Sequence, residues 1–317
     1  MIPIEKGELL TAVKSYPESK GAANQDRFRL QAFQVREDSQ EQATFAVLAD
    51  GLGDQRAGEV AAELAVDIIF NRVAQSEGSQ PTGILEAAVL RAGQAILAQS
   101  EQDKDRRGMG CTALCAWVIG RKLYTASVGN SRLYLQRGSQ LIQLNVISEM
   151  HWAEDAEDEE SAEQTAGYLG ARIREDVDLR LTIDRDRSER ATRNQGFPLR
   201  NNDRLLLCSD GLSDALDDEQ IAELLGTSPI DEAADALVQA ALATGSQDNM
   251  TALVLAVPPG RPAPARRRLA LRRAAILVLS SLLLVLLSLT GWYFLGPLLD
   301  PSFTPEPTAI NTLTPIP

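Results

Sequence analysis

The apolar run Phe45-Ala46-Val47-Leu48-Ala49 breaks abruptly at Asp50-Gly51-Leu52-Gly53-Asp54. Such a run, closed by an acidic-glycine turn, predicts a buried strand that delivers Asp50 at its tip. A helical period follows at once over 58–74, with Val60, Leu64 and Ile68 on one face, and a second helix is expected over 82–100. The Ser/Gly/Pro loop 76–83 separates them. From Cys111 the period changes to short β-like runs near 112–119, 122–128, 131–136 and 140–146. Gly120-Arg121, Gly129-Asn130 and Gly138-Ser139 read as tight hairpin turns between them, which predicts an antiparallel meander. The strand-and-turn feature then recurs: Arg204-Leu205-Leu206-Leu207-Cys208 ends in Ser209-Asp210-Gly211-Leu212-Ser213-Asp214.

The remaining pattern completes the body. A strand or two lie near 24–28, a further strand is expected over 177–183, helices over 217–225 and 229–244, and a closing strand over 250–257. The order is strands, helix pair, strands, helix pair, strand. That predicts an α+β class with sheets packed together and helices outside, because a doubly wound sheet would alternate strand and helix. Residues 1–257 form this body. Residues 258–273 are a Pro/Ala/Arg-rich linker, and 274–296 run for twenty-three residues without a charge, long enough as a helix to cross a bilayer. The Pro/Thr-rich tail 297–317 is too short and polar to fold.

Charge divides the chain along the same line. The formal net charge is −13, but residues 258–317 hold six arginines against Asp300 and Glu306, so they carry +4 and the body carries −17. So acidic a body lacks the basic stripe that nucleic-acid binding requires. Arginines preceding the apolar stretch place the body in the cytoplasm and the tail outside, as a single-pass protein of the cell membrane. The start Met1-Ile2-Pro3-Ile4-Glu5-Lys6 lacks the features of a secretory signal. Three cysteines, Cys111, Cys115 and Cys208, all stand in apolar runs and read as buried thiols. With His151 the one histidine, neither a histidine-rich metal site nor a Ser-His-Asp hydrolase is expected. Residues 149–165 hold eight acids in seventeen positions and read as a solvated helix or loop, with a substrate-excluding flap as the sharper alternative.

A carboxylate at the tip of a buried strand costs free energy unless a cation meets it. Asp26, Asp50, Asp210 and Asp248, the last in Gly245-Ser246-Gln247-Asp248-Asn249-Met250, form a candidate cluster drawn from distant segments. Arg56 occupies the place of a third glycine, which rules out a dinucleotide fingerprint, and no phosphate-loop or calcium-loop spacing is present. Oxygen donors without His or Cys favour hard ions, Mg²⁺ or Mn²⁺, and two such ions can clamp a phosphoryl group for in-line attack.

Six blocks in order resemble the bacterial branch of the metal-dependent protein phosphatases of type 2C. They are Asn24-Gln25-Asp26, Asp50-Gly51-Leu52-Gly53 with Gly58-Glu59, Met109-Gly110-Cys111-Thr112-Ala113, Val128-Gly129-Asn130-Ser131-Arg132, Ser209-Asp210-Gly211-Leu212, and Asp248-Asn249. The resemblance covers 7–257. It implies a four-layer α-β-β-α sandwich with a site for two Mn²⁺ or Mg²⁺ ions at one end of the sheets. By the same resemblance Asp50 bridges both ions, the Gly51 carbonyl ligates one, Asp210 and Asp248 complete the other, and Asp26 holds coordinated water. The implied activity is hydrolysis of phosphoserine and phosphothreonine in proteins by a metal-bridging hydroxide. The implied partners are phosphorylated proteins, among them Hanks-type kinases and their substrates, and the catalytic domain is expected to be monomeric.

Four departures from that pattern stand out. Gly21 occupies the position where an arginine grips substrate phosphate in the family, and the neighbouring Lys20 is the candidate substitute, a point charge rather than a bidentate fork. Gln25 stands for the commoner Glu. Leu52 stands where animal members have a histidine that protonates the leaving group. Asn130 replaces an aspartate that helps to hold a third ion, which argues against a persistent third ion here. The missing arginine and Asn130 motivate a competing reading, a catalytically weak relative that serves as a membrane-tethered phosphoprotein-binding module.

Overall fold

The run that ends at Asp50 is the central strand of its sheet, buried along almost its whole length. Its side chains divide by alternation: Phe45, Val47 and Ala49 enter one core cluster, while Ala46 and Leu48 enter another. A strand covered on both faces reads as a continuous apolar run rather than an alternating one. The same division recurs in Ala113–Ile119, and again in Arg204–Cys208.

The computed structural model describes residues 1–18, 23–52, 57–148, 167–171, 177–183, 189–260, 278–283 and 285–286. The strands are β1 (Ile2–Ile4), β2 (Leu10–Tyr16), β3 (Arg27–Gln34), β4 (Gln42–Ala49), β5 (Gly51–Leu52), β6 (Gly110–Cys111), β7 (Ala113–Ile119), β8 (Lys122–Val128), β9 (Arg132–Arg137), β10 (Gln140–Gln143), β11 (Phe197–Pro198), β12 (Arg204–Cys208) and β13 (Met250–Ala256). The helices are α1 (Gly58–Ala74), α2 (Pro81–Gln102), α3 (Asp210–Ser213), α4 (Asp218–Thr227) and α5 (Ile230–Ala243). One antiparallel sheet has the order β1-β3-β4-β7-β8-β11 and the other β10-β9-β12-β13-β2, with β5 and β6 a small ribbon beside them.

Three apolar layers hold these elements together. Alanines and branched residues of α1 and α2 (Ala61, Ala65, Ile69, Leu85, Ala92) pack on the outer face of the first sheet. Leucines of both sheets meet between them. Helices α4 and α5 cover the second sheet through Ile221, Leu225, Leu237 and Val238. The expected four-layer sandwich of two antiparallel sheets and helix pairs is thus the observed one. Local signals set the helix starts: Pro81 opens α2, and Asp217 and Gln220 form a reciprocal capping box on α4 at 2.8 and 3.0 Å. All three cysteines are buried and none is in a disulfide among the described residues, and burial pushes the Cys208 thiol up to about 12.

Two expectations need correction. The runs after Cys111 are not one meander, because β7 and β8 pair in the first sheet while β9 and β10 belong to the second. Gly129-Asn130-Ser131 is a crossing between sheets, with Gly129 at φ 103°. Nor is 177–183 a strand: it makes only a bridge between Asp178 and Ser127. The Gln195 side chain takes the hydrogen bonds a neighbouring strand would supply, accepting from Thr125 N–H at 2.9 Å and donating to the Thr125 and Leu179 carbonyls.

Met1–Gly260 is one compact unit and Arg261–Pro317 a second. The span expected over 274–296 falls mostly outside the described residues. Of it, 278–283 and 285–286 are helical, with Val278, Leu279, Leu282, Leu283, Val285 and Leu286 exposed. Among the described residues no helix is long and apolar enough to cross a membrane.

Candidate functional site

Asp50 leaves the end of β4 nearly buried, and neighbouring segments fix its backbone on both sides. Its N–H donates to Thr112 Oγ1 at 3.0 Å, and its carbonyl accepts from the Thr112 N–H at 2.8 Å. Thr112 in turn shares a hydrogen bond with Ser131 Oγ at 3.0 Å, so the turn before β7 and the sheet crossing both brace the Asp50 turn. Gly51 follows under severe crowding. A Cβ there would stand 2.4 Å from the Gly58 backbone at the start of α1. The glycine is needed for that close approach, a reason legible in structure and not in sequence.

Asp26 precedes β3 and is almost wholly buried. Ser209 Oγ donates to its Oδ2 at 2.8 Å, while Oδ1 is buried without a protein partner. Asp210 opens α3 at the end of β12 and accepts from Asn130 Nδ2 at 2.7 Å. Asp248 lies exposed at the rim just before β13, and its Oδ1 accepts from the Asn249 N–H at 2.7 Å. Asn249 Oδ1 accepts from the Gln25 N–H at 3.1 Å, which ties the Asp248 and Asp26 segments together.

The four carboxylates lie near enough for their charges to act on one another. Burial, opposed by contacts from Thr251, Ser209 and Asp50, pushes Asp26 up to about 6. Burial first, then the charges of Asp26, Asp210 and Asp248, hold Asp50 well above the usual carboxylate range. Partial loss of hydration, and after it the charge of Asp210, raises Asp248. Among the described residues no Lys or Arg forms a salt bridge with any of the four. The sequence-predicted Asp26, Asp50, Asp210 and Asp248 are therefore brought together.

Two further findings bear on a metal. Among the described residues no group of three or more acidic, histidine or cysteine side chains stands in an arrangement that could hold a metal ion. The donors nonetheless fit hard divalent cations. They are oxygen-only and mutually repulsive, no salt bridge offsets them, and one buried carboxylate oxygen lacks a partner.

Lys20 and its neighbour Gly21 lie outside the described residues, as does the acidic segment 149–165 with His151. Leu52 packs on Tyr168 and Ala171 in a small apolar cluster beside the site. Sequence reasoning assigned no part to Thr112, Ser131, Ser209 or Thr251. Their signal was hydroxyls directly beside, or within a strand of, the acidic turns.

Residues 16–254 match the protein phosphatase 2C family model. The chain is 34% identical over 220 residues to the serine/threonine protein phosphatase PstP of Mycobacterium tuberculosis, covering 67% of this chain and 40% of that protein. It is 28% identical over 223 residues to the serine/threonine phosphatase stp of Listeria monocytogenes, covering 66% of this chain and 82% of that one. A crystal structure of the PstP catalytic domain in complex with two manganese ions superposes with a TM-score of 0.61 at 30% identity, covering 79% of this chain and 98% of that one. The chain thus spans about two fifths of the length of the mycobacterial relative.

Proposed function

The chain belongs to the protein phosphatase 2C family, and from that premise we propose that it hydrolyses phosphoserine and phosphothreonine in proteins with the aid of two Mn²⁺ or Mg²⁺ ions. The observation that carries this reading is the convergence of the Asp26, Asp50, Asp210 and Asp248 segments, tied to one another through Ser209, Thr112, Ser131, Asn130 and Asn249. Asp50, the Gly51 carbonyl, Asp210 and Asp248 would hold the ions, and Asp26 would support them from outside that set. When bound, such ions supply Lewis acidity, which lowers the pKa of water and offsets phosphoryl charge.

The chain's own residues do the rest. Thr112 holds the Asp50 backbone from both sides, so this carboxylate meets its partners already oriented. The Asn130 amide turns Asp210 without adding charge. Leu52, partly buried against Tyr168 and Ala171, offers no proton, so protonation of the leaving group falls to water. Lys20 is the proposed phosphate-binding cation.

The organisation read from the sequence belongs to the same proposal: a catalytic body over 1–257, a linker over 258–273, a membrane helix over 274–296 and an outer tail over 297–317. The body would face the cytoplasm as a monomer and oppose Hanks-type kinases there. The six arginines ahead of the apolar stretch support this orientation.

Phosphopeptide hydrolysis by the full chain, with Mn²⁺ and with chelator, tests the activity. Turnover that ignores the chelator, or no turnover by protein that binds two Mn²⁺, overturns it. A second reading, a phosphoprotein-binding module with little catalysis, draws on the Asn130 amide occupying Asp210 Oδ2. The second of those outcomes would favour it.

A further inference from the structure

The Asp26 carboxylate is backed by hydroxyls that are not among the proposed metal ligands. Ser209 Oγ lies 2.8 Å from Asp26 Oδ2, 3.3 Å from the Asn249 carbonyl and 2.9 Å from the Thr251 N–H. An N–H can only donate, so Ser209 accepts from Thr251 and its own proton is available to Asp26. Behind Thr251 stands Ser15 on β2, directly opposite it in the β2–β13 register, with the two hydroxyl oxygens 2.7 Å apart. Behind Ser15 stands Asn24, whose Nδ2 is 2.7 Å from Ser15 Oγ.

The directions of these bonds can be assigned. The Asp26 N–H donates to Asn24 Oδ1 at 2.9 Å, and that fixes which end of the Asn24 amide faces Ser15. Asn24 Nδ2 therefore donates to Ser15, whose oxygen also shares a hydrogen bond with Thr251 Oγ1. Ser15 thus holds the Asn24 amide whose oxygen receives the Asp26 N–H, and through it fixes the backbone that carries the carboxylate. Asp26 Oδ1 is left buried and without a protein partner.

We propose that Ser15, a residue of the edge strand β2 with no contact to the four-carboxylate space, is a positioning residue for divalent-metal binding: its hydroxyl transmits the hydrogen bond that orients Asp26. This rests on the metal reading of the site given above. Without a hydroxyl at position 15 the Asn24 amide and the Thr251 hydroxyl lose their common partner, and the Asn24 oxygen no longer fixes the Asp26 N–H. The Ser15 main chain stays paired with β13 either way, so the fold does not depend on the hydroxyl.

The test is Mn²⁺ titration calorimetry on the metal-stripped full chain, comparing wild type with Ser15→Ala, Ser15→Thr and Ser15→Val. Partners in the outer sphere of a metal are commonly worth about 10–100-fold in affinity, and Ser15, which reaches Asp26 through Asn24, is expected at the low end, about tenfold. Ser15→Ala and Ser15→Val should both bind Mn²⁺ about tenfold more weakly, while Ser15→Thr keeps wild-type affinity. Thr and Val share shape and strand preference, so their difference isolates the hydroxyl even where Ser15→Ala folds poorly. Equal Mn²⁺ affinity in the Thr and Val variants overturns the proposal. Phosphopeptide turnover by the wild type is read in parallel. Its absence counts against the phosphatase reading, while the Thr–Val difference in affinity still decides the role of Ser15.

Discussion

Asp26 and Asp50 gain their interest from being ionisable groups that the fold disfavours as anions. Burial raises Asp26 from 3.8 to about 6. A raised folded-state value means that the native protein keeps a proton the unfolded chain has already lost. The stability this group contributes is then full below its unfolded value and lost as pH rises through about 6. A shift of this size corresponds to something on the order of 3 kcal/mol. Metal-stripped protein is therefore expected to melt at a lower temperature at about pH 7.5 than at about pH 5, with Mn²⁺ removing the difference. A melting temperature that does not fall across that window in chelator would contradict the picture. Asp210→Asn should lower kcat on a phosphopeptide by orders of magnitude and leave the circular-dichroism spectrum unchanged; an unaltered rate would place the chemistry elsewhere. For Lys20→Ala the expected result is a higher KM with kcat less affected, the pattern of lost ground-state phosphate binding. An unchanged KM would return Lys20 to the solvated surface.

Among the elements, the sheet crossing at Gly129 has the sharpest consequence. Its φ of 103° is closed to other residues, and a Cβ there would stand 2.7 Å from Thr112 Cγ2. Thr112 is also the residue that clamps Asp50. Gly129→Ala should thus cost about 2–4 kcal/mol in urea unfolding, from backbone strain and overpacking together. The residual folded protein should also hydrolyse phosphopeptide more slowly, because displacing Thr112 moves Asp50. Unimpaired turnover with lost stability would separate the crossing from the site. The mistaken meander came from the same place. A glycine-polar pair between two β-like runs carries the same local pattern whether the chain returns to its own sheet or crosses to the facing one. Only the partners available to β9, namely β10 and β12, decide that. Position 177–183 failed for a related reason, since a side-chain amide from Gln195 can satisfy a backbone as a neighbouring strand does.

For the whole molecule, the acidic body and basic C-terminal stretch give an expectation about location. Ending the chain after Gly260 removes all six of those arginines and the apolar stretch. The truncated protein is expected in the soluble fraction with kcat on a phosphopeptide within about twofold of the full chain, as befits a compact unit with its own core. Recovery of the truncated protein in the membrane fraction would count against anchoring through 274–296.

The amino-acid sequence by itself determined the layered α+β class, the strand ends at Asp50 and Asp210, and the oxygen-only character of the site. These depend on short-range apolar periodicity and on residue identity, both of which are local. Tertiary structure alone decided that Ser209 backs Asp26, that Ser15 faces Thr251, and that Gly51 must lie against Gly58. It also decided that Thr112 grips Asp50 from both sides. Those relations join residues as far as 236 positions apart in the chain. They arise because two sheets bring their strand ends to one edge of the sandwich, and no local pattern encodes which hydroxyl will face which carboxylate across it.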